Sequence, residues 1–151
     1  MALSLALEEA RAFVPTPEFE LESRAQGQAF IATLRAAWPV EFAAVARVMG
    51  QDWVPYACAV GIAAALAGIP VRLVLIACFQ ATASNLISSG IRLMAVGQTA
   101  GQRILARLEP KVLEAAQAVL TRAPRDVGAC APIIDWASMK HETQYTRLFR
   151  S

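Results

Sequence analysis

At 151 residues the chain is long enough to bury a core in one domain without disulfides or metals. Its formal charge of +2 gives no concentrated basic patch, and so no case for nucleic acid. Hydrophobic residues make up 56% of the chain, so it either crosses a membrane or covers apolar surface against itself and partners.

Leu3 to Phe13 reads as a helix with Leu3, Leu7 and Ala10 on one side, broken by Pro15-Thr-Pro17. Its first residues lack the basic start of a signal peptide. Thr16 is placed to cap the next helix, with Pro17 at its first position and Glu18 and Glu20 in its first turn. That helix is predicted to run to about Trp38, turning Phe19, Phe30 and Leu34 inward and Glu22, Arg24 and Arg35 to water. Gly27 within it reads as a close packing point. Pro39 opens a short helix ending near Gly50, and Asp52 is a candidate cap for the helix after it. Pro55 to Ala67 is Ala-rich and helical, stopped by Gly68-Ile-Pro70. Pro70 starts a long helix to Val96, and so short a turn predicts an antiparallel pair. Gly97 to Leu108 and Lys111 to Arg122 read as two helices separated at Pro110. Ala123 to Gly128 is a loop, Ile133 to Lys140 a short apolar turn or helix, and Glu142 to Ser151 a polar, aromatic tail. No strand-period alternation appears. The expected fold is all-α, a single helical-bundle domain over 1–151, with a tail over 137–151 that either frays in solvent or docks on a partner.

The apolar run from Val54 to Cys78 is cut by Gly68-Ile-Pro70 and Arg72, leaving pieces shorter than the roughly 20 residues a bilayer core requires. A buried hairpin is expected there and a membrane hairpin is the alternative. Cys58, Cys78 and Cys130 are odd in number, with no CxxC pair, and read as buried free thiols of a reducing compartment. His141 is the sole histidine, too little for a metal site within one chain, so a metal could be held only at a site shared across a dimer interface. No P-loop, GxSxG or neighbouring Cys–His pair is present. No catalytic residue, metal ligand or cofactor site is expected.

Two constellations remain. In Ile91 to Arg103, Gly97-Gln98 recurs as Gly101-Gln102 one helical turn later, predicting both glycines on one helix face and both glutamines on the next. Two glycines on a face admit another backbone, either an internal helix or a partner. The glutamines could bridge backbone groups buried there. Ala81, Ser84, Ser88, Ser89 and Gly90 make the preceding helix small-sided, with Asn85 and Arg92 on nearly one face. The second constellation is the tail, where Tyr145, Arg147, Phe149 and Arg150 are residue types common at interface hot spots.

Arg92-Leu-Met-Ala-Val-Gly-Gln-Thr-Ala-Gly-Gln-Arg103 resembles the Arg-Leu-Val-Pro-Leu-Gly-Gln-Thr-x-Gly-Gln signature of the UreF family of urease accessory proteins. Ala137-Ser-Met-Lys-His-Glu-Thr-Gln-Tyr-Thr-Arg-Leu-Phe-Arg-Ser151 is similar to that family's C-terminal signature. The resemblance spans about Glu18 to Ser151. It implies a cytoplasmic, non-enzymatic, all-helical homodimer. Such a protein binds UreD (also called UreH), recruits the GTPase UreG and docks on apo-urease to deliver nickel, holding no cofactor itself. It places Arg92, Gly97, Gln98, Gly101 and Gln102 near partner surfaces. The tail, with Met139, His141, Glu142, Thr143, Gln144, Tyr145, Arg147, Leu148 and Phe149, would order against UreD. His141, Glu142 and Tyr145 become docking residues or scaffolding of the docking surface. The Gly-Gly-Phe and Ser-His-Gly-Leu-Glu segments of the family's opening region are absent, and Met1 falls within what should be the middle of such a protein. Leu86 stands for a usual glutamine. Ala95 stands for a usual proline, which removes an expected kink before Gly97. A core made for further helices would leave apolar faces exposed, so poor solubility of the chain alone is expected.

Overall fold

The computed structural model of the protein describes residues 2–38, 43, 53–123, 126–128 and 130–145. Among them are six helices and no strand: α1 (Ala2–Ala12), α2 (Pro17–Ala37), α3 (Tyr56–Leu66), α4 (Val71–Leu93), α5 (Gln98–Leu120) and α6 (Pro132–Glu142). The fold is all-α. Two compact units form, one from Met1–Gly68 with Gly128–Ser151 and the other from Ile69–Val127. The helix expected from Pro39 to about Gly50 (Ala43 apart) and the Asp52 cap lie outside the described residues.

The first unit is built around α2. Thr16 caps it, its hydroxyl accepting from the Phe19 amide at 3.4 Å, with Pro17 opening the helix and Glu18 and Glu20 in its first turn. Leu7 of α1, Ile31 of α2, Val54, and Ala59 and Ile62 of α3 form the buried core. Leu3, Phe30, Leu34, Cys58 and Leu66 pack around it. Phe30 meets Tyr56 edge to face at 5.8 Å. Arg11 fastens α1 to the stretch of chain before α3. Its Nε and Nη2 donate to the Trp53 carbonyl at 3.0 and 2.6 Å, and its guanidinium lies 5.8 Å from the Trp53 ring centre. The Ser23 hydroxyl of α2 accepts from the Tyr56 amide at 3.1 Å, satisfying one of the orphan donors at the start of α3. Gly27 is buried, and a methyl group there would strike the Val54 carbonyl. The close packing point expected from sequence is therefore real, and its neighbour is backbone.

The second unit is the pair α4 and α5. The long helix expected to reach Val96 ends at Leu93, capped by Met94 in extended conformation. The helices expected to separate at Pro110 are one, because α5 runs through that proline. Pro110 removes the hydrogen bond that the Ala106 carbonyl would accept. Both residues are exposed, so water can replace it. α3 packs its apolar residues on α2 and α1, while α4 packs on α5. Gly68 does end α3 as expected, at φ +64°, a backbone that favours glycine.

Candidate functional site

The first constellation forms the elbow between α4 and α5. It is not one helix: the chain turns at Met94 to Gly97, and α5 starts at Gln98 with Gly97 as its cap. The turn forms with alanine at position 95, so it needs no proline there. The two glycines therefore do different work. Gly97 is exposed with open space around its α-carbon. Gly101 is buried, and a methyl group there would lie 2.7 Å from Ile91 Cδ1 and 3.0 Å from Ile87 Cγ2. The close approach is thus internal, between α5 and the last turns of α4. Gln98 and Gln102 lie one turn apart and are both exposed, so they do not seal buried backbone as the sequence suggested. Arg92 sits in the last turn of α4, exposed, with Nη2 3.5 Å from the Ser89 hydroxyl.

Around this elbow apolar surface lies open. No residue of α4 is buried. Val71, Leu73, Leu86, Leu93 and Met94 are exposed, as are Ile104, Leu113, Val119 and Leu120 beyond the elbow. By length and composition α4 could cross a membrane, whereas the sequence offered only pieces too short to span one. It nonetheless carries Gln80, Thr82, Ser84, Asn85, Ser88 and Ser89 in its middle and end, and Arg72 and Arg92 at its ends.

The second constellation is α6 with the residues after it. Part of the expected tail is helix: residues up to Glu142 belong to α6, which packs on α2. Its polarity is inverted. Asp135, Ser138 and His141 recur at helical spacing on the less exposed side, and Ser138 is buried. Ile133, Trp136 and Lys140 form the opposite stripe, with Met139 beside it. Ile133 is 82% exposed, Trp136 59% and Met139 50%. The Lys140 ammonium lies 5.9 Å from the Trp136 ring centre.

Polar pairs join α6 to the start of α2. The Ser138 and Thr16 hydroxyls are 2.7 Å apart, both buried. His141 Nδ1 lies 2.8 Å from Glu18 Oε1. His141 therefore faces the body of its own chain. Glu142, Thr143, Gln144 and Tyr145 are exposed, Tyr145 fully. Arg147, Leu148 and Phe149 lie outside the described residues. The elbow and α6 fall in different units.

Sequence reasoning missed Ile133, Trp136 and Ser138. The signal was present as two stripes at spacings of three and four, Asp135-Ser138-His141 and Ile133-Trp136-Lys140. The short apolar run hid it.

Reactive chemistry is sparse. The three cysteines are free, Cys58 and Cys78 half-buried and Cys130 exposed, which corrects the expectation of buried thiols. Burial pushes the Cys58 thiol pKa up, with nearby Arg11 opposing it. Among the described residues no cluster of three His, Cys, Asp or Glu is placed to hold a metal ion.

Comparison with known proteins bears on both constellations. The UreF family model matches residues 2–109, which includes the elbow. A urease accessory protein UreF of Rhodopseudomonas palustris strain BisB5 is 45% identical over 150 residues, covering 99% of this chain and 62% of the relative. One from Bradyrhizobium sp. strain ORS 278 is 47% identical, again over 99% of this chain and 62% of the relative. A third, from Xanthobacter autotrophicus, is 44% identical over 93% of this chain and 58% of its own length. The chain thus spans about three fifths of the length of these relatives, and the longest of these matches take in α6 and the residues around it.

Proposed function

Because the chain belongs to the UreF family, whose members are urease accessory proteins and not ureases, we propose that it is an adaptor in urease maturation that docks on the cognate UreD through the outer face of α6 and the residues after it. The observation that carries this reading is the inverted polarity of α6. A helix that turns serine and histidine toward its own body and isoleucine, tryptophan and methionine to solvent has its apolar side free for a protein partner. In this reading the complex with UreD recruits the GTPase UreG and docks on apo-urease. Nickel is cargo for the client, and this chain needs no cofactor of its own. The elbow, with exposed Arg92, Gln98 and Gln102, offers a second surface to the assembly, and the apolar faces of α4 and α5 are covered there or by a second copy. The work is done in the cytoplasm.

The test is co-purification with cognate UreD of the whole chain, of a chain ending before Thr143, and of Trp136→Glu. The whole chain is expected to form a soluble complex and Trp136→Glu none. The shortened chain, which keeps α6, is expected to bind more weakly. Equal capture of all three would overturn the reading.

A membrane hairpin is the second reading, carried by the length and apolar composition of unburied α4. Against it, the helix packed on α4 exposes Arg103, Arg107, Glu109, Lys111 and Glu114, each costly in a bilayer. Detergent alone would keep a membrane hairpin in solution, whereas the adaptor needs its protein partner.

A further inference from the structure

The inversion of α6 raises the question of what holds it. An isolated helix of 11 residues is marginal in water, so α6 requires tertiary contacts. Apolar burial is a poor source of them, since Ile133, Ile134, Trp136 and Met139 are all exposed. The named contacts that tie it to α2 are instead the buried Thr16–Ser138 hydroxyl pair and the Glu18–His141 pair, one turn apart on α6. Both end on the first residues of α2, where Thr16 also serves as cap. Glu18 is largely covered and His141 about two thirds covered, so their hydrogen bond is shielded from full solvent competition.

We infer that Glu18 and His141, with Thr16 and Ser138, form a polar clasp that positions α6, so that His141 acts on partner binding through Glu18 and not by touching the partner. The inference rests on the docking role proposed for α6. It divides the C-terminal residues into two classes that the sequence alone merged. Ser138 and His141 are positioning residues, whereas Ile133, Trp136 and Met139 supply the contact surface. A partner then meets a helix already oriented, and less ordering entropy is lost on association.

Two measurements test this on the full chain. The first is amide hydrogen exchange of the free chain and of Glu18→Ala, His141→Ala and His141→Asn. Either alanine variant is expected to speed exchange across α6 about tenfold, the loss of a shielded bond to a charged group, while α3 exchange stays unchanged. His141→Asn, whose amide nitrogen can take the place of Nδ1, should restore most of the protection. Unchanged α6 exchange in both alanine variants overturns the clasp whether or not UreD binds. The second is a double-mutant cycle on affinity for UreD. The Glu18→Ala, His141→Ala double variant should lose about as much as either single one, roughly tenfold. Multiplying losses mean that His141 meets the partner directly, and they overturn the inference. Failure of the unaltered chain to bind UreD would instead remove the proposed function, while the exchange result would still decide the clasp.

Discussion

Two glycines show how a neighbour decides what one residue means. Gly27 faces the Val54 carbonyl, which cannot move without shifting the start of α3. Gly27→Ala should therefore destabilise the chain by about 2 kcal/mol, strain outweighing the helix propensity regained. Gly101 faces the Cδ1 end of Ile91, which can rotate away, and the branch methyl of Ile87, which has only to give by a few tenths of an ångström. Gly101→Ala should change stability by less than about 1 kcal/mol, since the regained propensity offsets the adjustment. Denaturant midpoints of the two variants check both signs. Thr16 was legible as a cap because Thr-Pro-Glu is a local signal. Its bond to Ser138 was not, because it joins residues far apart in the chain. Thr16→Ala should cost about 2 kcal/mol, combining the lost cap with a buried serine hydroxyl left without its partner, and Thr16→Ser should recover most of it. Thiol labelling gives a separate check. Cys130 should react first with an aromatic disulfide reagent and Cys58 slowest, because burial disfavours its thiolate.

At the scale of the element, the helices were legible wherever local chemistry punctuates the chain. α1, α2 and α3 end or begin near residues named from proline, threonine and glycine alone. The misreadings share one cause: a local signal was overruled by packing. Pro110 sits inside α5 because the two-helix packing continues on either side of it. Pro110→Ala should accordingly raise the unfolding midpoint, by roughly 1–3 kcal/mol of stability, without changing helix content. The elbow went the other way. Nothing in Met94-Ala-Val-Gly97 forbids a helix, yet the chain must turn there to bring Gly101 against Ile87 and Ile91. α6 was half legible: its existence followed from an apolar run, but the direction of its two stripes depends on Thr16 and Glu18, more than a hundred residues away.

For the whole molecule, the shared feature of the two units is apolar surface left open, on α4 and α5 in one and on α6 in the other. A chain spanning about three fifths of its relatives' length aligns with them in sequence across both the elbow and α6. In isolation such surface should drive association, so the fraction remaining in solution after centrifugation should fall with concentration and rise when UreD is added. The central claim is that α6 presents its outer face to UreD. The most direct measurement is amide hydrogen exchange of the whole chain alone and with UreD in excess. Slowed exchange across residues 133–145 on adding UreD, lost in Trp136→Glu, is the expected result. Binding that leaves α6 exchange unchanged while slowing only the α4–α5 elbow would contradict it.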